Sequence, residues 1–283
     1  MRTITLKQEM YLWAKQVKTA GHSIGFVPTM GFLHEGHLAL VEEAKRDNDY
    51  VIMSIFVNPL QFGQGEDYTT YPRDEKRDKK LAEEAGVDIL FMPSVDHMYK
   101  HKKSIKLMVT EKTDKLCGAT RPGHFDGVVT VLTKLFHLTI PNRAYFGLKD
   151  VQQFAIVTAL VEEFDFPVEI VPVDTVREPS GLAISSRNVK LTREDKEKAP
   201  ALFNSLLLGK KLIIEGETDA NVIIKTVRHY LDQQLGENVE VDYVEMLTFP
   251  YLEDISEVNE KVVIAVAVRF LTARLIDNII VEC

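Results

Sequence analysis

Two histidines three residues apart, His34 and His37, carry the clearest chemical signal in this sequence. They lie in the stretch Phe-Val-Pro-Thr-Met-Gly-Phe-Leu-His-Glu-Gly-His-Leu at residues 26–38. At helical spacing the two rings share one face of one turn. An apolar run over 24–27 precedes them, and an amphipathic pattern with Leu38, Leu40, Val41 and Ala44 on one side follows. The stretch therefore reads as a strand, a glycine-bearing turn and the first turn of a helix. The start of a helix presents unpaired N–H groups and a partial positive charge, which suits an anion. Two imidazoles beside such N–H groups suit a phosphate chain whose charge grows during reaction. A zinc site fits less well. Helical zinc ligands follow His-Glu-x-x-His, whereas this sequence has His-Glu-Gly-His with no cysteine close by.

Other polar residues fall where strands hand over to loops. Gln61 and Gln153 are neutral amides that each donate and accept. Such amides grip a hydroxyl and a carboxylate oxygen without neutralising a carboxylate that must attack. Lys149 stands at a strand-to-helix junction and reaches phosphates as a mobile point charge. Asp150 suits a helix cap or a ligand contact equally. Ser185, Ser186 and Arg187 place two hydroxyls and a guanidinium in one loop, either for phosphate or as a solvated turn. Arg121 and His124 either add charge to a pocket or shape a turn. Asp78 lies on a charged helix and reads as solvated surface. No Walker loop and no Gly-x-Gly-x-x-Gly loop is present, which disfavours kinases and dehydrogenases of those kinds. The remaining set suits nucleotidyl transfer, where positioning and charge stabilisation do most of the work.

The elements that must hold these residues alternate. Helix-like spacing over 8–20 is followed by the strand before the histidines, then an apolar β-branched strand over 50–57. A charged helix is expected over 74–86 and a short strand over 87–92. Strand 143–146, helix 151–163 and strand 168–173 continue the alternation, with a helix over 128–137 and an edge strand over 104–110. Such alternation implies a parallel sheet with helices on both faces, and ligands beyond the carboxyl ends of its strands. After about residue 191 two helical stretches, 194–215 and 220–235, precede strands near 239–247, 262–270 and 273–281. The expectation is a Rossmann-like α/β domain over 1–188 and a smaller α+β domain over 189–283. The loop 179–188 between them is expected to be mobile without nucleotide, with the smaller domain acting as a lid.

Composition sets the bounds. The chain has 283 residues, 45% hydrophobic and 27% charged, as ordinary globular proteins do. A net charge of −8 disfavours a nucleic-acid partner held by bulk electrostatics. Residues 1–10 lack an apolar core, so no signal peptide is expected, and no apolar run reaches membrane-spanning length. Cys117 and Cys283 are too far apart to suggest a disulfide framework, which favours a cytoplasmic setting.

Taken together the motifs resemble the pantoate–β-alanine ligase (pantothenate synthetase) family, within the nucleotidyltransferase superfamily that includes class I aminoacyl-tRNA synthetases. The resemblance spans nearly the whole chain. It rests on Pro-Thr-Met-Gly-Phe-Leu-His-Glu-Gly-His at 28–37, Phe-Val-Asn-Pro-Leu-Gln-Phe at 56–62, Tyr-Pro-Arg at 71–73 and Arg-Pro-Gly-His at 121–124. Phe-Gly-Leu-Lys-Asp at 146–150 with Gln152 and Gln153, and Gly-Leu-Ala-Ile-Ser-Ser-Arg-Asn at 181–188, complete the set. The resemblance implies condensation of pantoate with β-alanine at the expense of ATP, through a pantoyl adenylate, with release of pyrophosphate and AMP. It implies an ATP site formed by Met30, Gly31, Phe32, Leu33, His34, Glu35, Gly36 and His37. Gly147, Leu148, Lys149, Asp150, Val176, Ile184, Ser185, Ser186 and Arg187 would complete that site. It assigns catalysis to His34, His37, Lys149 and Arg187, and pantoate to Gln61 and Gln153, with Gln61 also near β-alanine. It implies Mg²⁺ with Asp78 as a ligand, and a homodimer. Two departures stand out: Leu148 replaces a polar residue, and Ser180 stands where an acidic one is common. Rival readings are another adenylyl transferase, a nucleotide sensor without chemistry, and an RNA-binding synthetase fragment.

Overall fold

The computed structural model describes residues 1–63, 65–100, 104–236 and 239–282. It divides into two compact units. One comprises Met1–Glu111, Arg121–Leu148 and Ile156–Asp174; the other comprises Lys112–Thr120, Lys149–Ala155 and Thr175–Cys283.

The larger unit is built on a six-stranded parallel sheet. Its elements run β1 (Arg2–Ile4), α1 (Lys7–Thr19), β2 (Ile24–Thr29), α2 (Glu35–Asp47), β3 (Tyr50–Ile55), α3 (Glu75–Glu84), β4 (Ile89–Phe91) and α4 (Val95–Met98). After α5 (Leu116–Thr120), which belongs to the smaller unit, come α6 (His124–Thr139), β5 (Arg143–Gly147), α7 (Val151–Glu163) and β6 (Glu169–Val173). The strand order is β1-β4-β3-β2-β5-β6. The chain walks outward from β2 through β3 to β4, then returns to the other side of β2 with β5. A sheet of this kind reverses direction between β2 and β5, and the crevice at their carboxyl ends is where ligands bind. Gly25 and Phe26 of β2 pair with Arg143 and Ala144 of β5, so both strands point the same ends at that crevice. Buried Val27, Leu33, Val41, Met53, Leu90 and Tyr145 pack one face of the sheet against α2 and α3.

The smaller unit contains α8 (Arg193–Lys198), α9 (Ala201–Ile214), α10 (Ala220–Leu235) and the strands β7 (Glu240–Thr248), β8 (Val262–Arg269) and β9 (Arg274–Val281). The expected helix over 194–215 is two helices, because Pro200 at the start of α9 interrupts the backbone hydrogen bonding. The three strands form an antiparallel sheet with β8 in the middle. Seven consecutive residues of β8 are buried. Strand side chains alternate between faces, so each face of β8 has its own core. Val262, Ile264, Val266 and Val268 join α9 and α10. Val263 and Ala265 pack instead on Leu116, Val151, Ala155, Leu247 and Leu252.

That second core explains the division of the chain. Leu116 and the first turns of α7 belong to the smaller unit because they cover the other face of β8. The last segment of the smaller compact unit starts at Thr175. Leu182 is buried in the core of the smaller unit, and Arg177 forms a bidentate pair with Asp277 of β9. The loop 177–188 is therefore less loosely held than its polar composition implies. Arg177 bridges Ala183, the Ile184 N–H donates to the Val176 carbonyl at 3.0 Å, and Asn188 Nδ2 donates to the Ala183 carbonyl at 3.1 Å.

Residues 104–110 form no strand, against the expectation of an edge strand there. Ile105 and Met108 stand 81% and 65% exposed, so no burial is gained by pairing them. The short β1 pairs with β4 at the sheet edge and was not expected from its three residues. Cys117 is buried and free, and Cys283 lies outside the described residues. Among the described residues no helix is long and apolar enough to cross a membrane.

Candidate active site

The turn after β2 is held in a conformation that only a clamp makes stable. Gly31 has φ +86° and Phe32 has φ +51°. A Cβ on Gly31 would meet Ile55 Cγ2 at 2.9 Å and Asp78 Oδ2 at 3.0 Å, so only glycine fits. The left-handed bend aims the next two N–H groups at α3. Phe32 N–H donates to Asp78 Oδ2 at 2.8 Å and Leu33 N–H donates to Asp78 Oδ1 at 2.7 Å. Arg77 closes the clamp by donating from Nη1 to the Leu33 carbonyl at 2.9 Å, with its guanidinium 5.4 Å from the Phe32 ring centroid. Asp78 is 2% exposed. It is therefore not the solvated surface residue its charged helix suggests. Each of its carboxylate oxygens takes one backbone N–H, so the role the structure shows for it is to hold the turn. Among the described residues no group of three or more His, Cys, Asp or Glu side chains is gathered to hold a metal.

The clamp delivers α2 with His34 as its N-cap. The His34 N–H donates to His37 Nδ1 at 3.3 Å. An accepting Nδ1 carries no proton, so neutral His37 is the Nε2–H tautomer and a donor outward. Burial, with the nearby His34 ring second, lowers the His37 pKa to about 3. The rings stack with centroids 3.9 Å apart and an interplanar angle of 28°. Gly36 leaves room beside the stack, since a Cβ there would make a tight 3.0 Å contact with His34 Cε1. The result at the helix start is a neutral, directed N–H donor beside the partial positive charge of the helix.

Gln61 ends a 3-10 turn over Pro59–Gln61 that follows β3. Asn58 organises it. Its Oδ1 accepts from the Leu60 N–H at 3.2 Å and from the Tyr99 hydroxyl at 2.8 Å. Its Nδ2 donates to Gln61 Oε1 at 3.2 Å and to the Gly127 carbonyl at 3.0 Å. Gln61 Nε2 in turn donates to Met30 Sδ at 3.1 Å. The turn lies directly on α6: a Cβ at Gly127 would stand 2.3 Å from the Leu60 oxygen. Val128 is buried beside it, while Pro28, Met30 and Phe62 are half-buried.

Arg121 and His124 have a definite place in this arrangement. Arg121 grips Glu66 through Nε and Nη2 at 2.8 and 2.7 Å, and its hydrogen bonds hold the Glu66 carboxyl below the usual range. Arg121 Nη1 donates to His124 Nε2 at 3.0 Å, since a guanidinium cannot accept. His124 Nδ1 therefore carries the proton and donates to the Gln61 carbonyl at 2.6 Å. Both residues brace the Gln61 turn, which adds Tyr99 and Glu66 to the residues expected from sequence.

In the smaller unit, Asp150 Oδ1 accepts from the Gln153 N–H at 3.1 Å, the helix-capping contact foreseen for it. Gln152 is committed to structure: it accepts from the Gly118 N–H and donates to the Lys112 and Lys115 carbonyls. Gln153, next to it, is half-buried. Burial lowers the Lys149 pKa against the opposing pull of Asp277 and Asp150. Ser185 Oγ accepts from the Arg187 N–H at 3.3 Å, and Ser180 Oγ accepts from the Leu182 N–H at 3.4 Å. The serine that departs from the family pattern thus fits the turn.

A family model described as Pantoate-beta-alanine ligase matches residues 2–280. The chain belongs to the pantoate–β-alanine ligase family. Pantothenate synthetase of Bacillus subtilis strain 168 is 53% identical over 282 residues, covering 100% of this chain and 98% of that relative. The pantothenate synthetase structure from Thermus thermophilus superposes with a TM-score of 0.92 at 45% identity, covering 99% of both chains. A ligase structure from Francisella tularensis, complexed with β,γ-ATP and β-alanine, gives 0.79 at 33% identity over 99% of this chain and 97% of that one. The activity of this family is the ATP-dependent condensation of pantoate with β-alanine, and the mixed α/β fold read from the alternating strands is the fold of these relatives.

Two outcomes check the geometry. In a long-range ¹H–¹⁵N correlation spectrum, His37 should remain the neutral Nε2–H tautomer from pH 8 down to pH 5; a midpoint near that of a free histidine would contradict the acceptor role of its Nδ1. Asp78→Asn should place an amide N–H against one of the two backbone N–H groups. At about 1–3 kcal/mol for one unsatisfied buried donor, adenylation should fall roughly 10-fold to 10²-fold. The Mg²⁺ concentration giving half-maximal rate should stay unchanged, whereas a lost metal ligand would raise it.

Proposed function

We propose that the condensation proceeds in two steps on the residues described above. The pantoate carboxylate attacks the α-phosphorus of ATP and pyrophosphate leaves. The β-alanine amine then attacks the acyl carbon of the adenylate and AMP leaves. The observation that carries this reading is the neutral Nε2–H donor of His37, aimed from the start of α2 after the strand where the sheet reverses direction. Neutral donors fixed in advance stabilise developing phosphate charge without reorganising.

ATP is assigned to Met30, Gly31, Phe32, Leu33, His34, Glu35, Gly36 and His37, and to Gly147, Leu148, Lys149, Asp150, Val176, Ile184, Ser185, Ser186 and Arg187. His34 and His37 act on the triphosphate, with Lys149 and Arg187 as the cations that meet the leaving pyrophosphate. Gln61 and Gln153 read pantoate. The bracing of Gln61 by Asn58 and His124 supports that role, because a reader of substrate shape must itself be fixed. The mixed lining of Met30, Val128 and glutamine amide matches a substrate that carries a gem-dimethyl carbon, hydroxyls and a carboxylate. Mg²⁺ accompanies ATP and screens its charge when bound; the hard phosphate oxygens supply its ligands, as is usual for this ion. Resemblance to the family supports a homodimer in the cytoplasm.

A substrate-omission assay tests the reaction. Pyrophosphate should appear only with ATP and pantoate together, and AMP only once β-alanine is added. A nucleotide sensor releases neither. Gln61→Ala and Gln153→Ala should each weaken pantoate binding by roughly tenfold or more, the scale of one hydrogen bond to a charged group. ATP affinity should be retained, and equal loss of both would remove the glutamines from the pantoate site.

A further inference from the structure

We propose that Asp277 and Asn278, consecutive residues of β9, are positioning residues for Lys149. The inference rests on Lys149 meeting ATP phosphates as assigned above. All the groups concerned lie in the smaller unit. β9 reads Arg-Leu-Ile-Asp-Asn-Ile-Ile-Val, a core strand with an acid and an amide at its centre. Asp277 is 3% exposed and Asn278 is 6% exposed. Polar groups are buried in a strand at a cost, and they persist where they have partners with a task.

Asn278 holds the backbone. Its Nδ2 donates to the Lys149 carbonyl at 3.0 Å, at the point where the chain leaves β5 for α7. Asp277 is turned along the strand, because its Oδ1 accepts from the Asn278 N–H at 2.9 Å. The two neighbours can then line one small cavity, although strand side chains ordinarily alternate between faces. Lys149, Asp150, Cys117 and Tyr243 share that cavity.

Arg177 fixes the carboxylate. Its Nη1 and Nη2 donate to Asp277 Oδ2 and Oδ1 at 2.6 and 2.9 Å. The guanidinium lies 3.7 Å from the Phe203 ring centroid and donates to the Gly181 carbonyl at 3.1 Å. One buried carboxylate thus anchors the base of the loop that carries Ser185, Ser186 and Arg187, and it faces Lys149 as well. The charges around Lys149 are then accounted for. Burial lowers its pKa, Asp277 is the largest influence raising it, Asp150 and Cys117 add to that, and Arg187 opposes them. Burial pushes the Tyr243 phenol well up, so it contributes no charge. Asp277 thus opposes the effect of burial on Lys149.

Asp277→Asn tests this in the intact protein, with lysine labelled by ¹³C at Cε and the Lys149 resonance assigned by its loss in Lys149→Arg. The Lys149 titration should move to lower pH by about one unit or more, the scale of one close opposite charge. The basic limb of the single-turnover adenylation profile should move with it. Asn278→Ala should lower the adenylation rate roughly 10-fold to 10²-fold, the scale of a small misplacement, with the KM for pantoate retained. An unmoved Lys149 titration in Asp277→Asn overturns the proposal, whatever the activity. A moved titration with an unmoved adenylation profile upholds the positioning and removes Lys149 from the reaction instead. Should Asp277→Asn not fold, Asn278→Ala decides, and a rate within twofold of wild type overturns the proposal.

Discussion

The site depends first on one carboxylate. Asp78 accepts the N–H groups of Phe32 and Leu33 and so makes a left-handed turn stable at a phenylalanine. A left-handed non-glycine residue costs on the order of 1–3 kcal/mol. Two charge-assisted hydrogen bonds, each worth about 1.5–3 kcal/mol, offset that. Everything after the turn inherits its direction from the clamp: the buried Leu33, the N-cap His34, the ring stack and the tautomer of His37. The same helix turn supplies both halves of the grip. Asp78 takes the Leu33 N–H and Arg77 donates to its carbonyl.

A second constraint is the double burial of β8. An antiparallel strand usually keeps one face for water. Here Val262, Ile264 and Val266 face α9 and α10, while Val263 and Ala265 face Leu116, Val151 and Ala155. The second face is covered by segments that the chain order would assign to the larger unit. Lys149 and Gln153 thereby belong by packing to the unit that also holds Arg187.

This pattern shows what the sequence made legible and what it hid. Strands of β-branched residues, helices at 3.6-residue spacing and the motif after β2 announce themselves through local order. α7 was readable to the residue, from Val151 to Glu163, because its apolar positions and its cap are local. Asp78 was misread because its meaning depends on residues 45 and 46 positions away. On a helix as charged as Glu75–Glu84, no periodicity separates a buried acid from a solvated one. The anchoring at the base of the loop from Arg177 to Asn188 was hidden for the same reason. Its polar composition says mobile, but a partner 100 residues later anchors it. The edge strand expected over 104–110 failed in the opposite way: the apolar residues were present, but Ile105 and Met108 stay exposed. Gly36 and Gly127 are intermediate. Their presence could be read, but the His34 ring and the Leu60 carbonyl that lie against them could not.

The distribution of charge completes the physical picture. A carboxylate that must attack phosphorus loses nucleophilic strength if a buried cation neutralises it. Gln61 is neutral, and the groups that brace it are spent on one another: Glu66 takes the charge of Arg121, and Arg121 sets the tautomer of His124. His37 is neutral as well, held so by burial and by the neighbouring ring. The cations assigned to the reaction, Lys149 and Arg187, lie in the smaller unit, and both bear on the leaving group in the proposed first step. Neutral donors where the nucleophile and the phosphate chain are held, and positive charge reserved for the pyrophosphate that departs, favour charge moving in one direction along the reacting atoms. Lys149 meets that requirement only while it stays protonated in a site that lowers its pKa. A buried acid facing it, locked by Arg177, is the simplest means the fold offers.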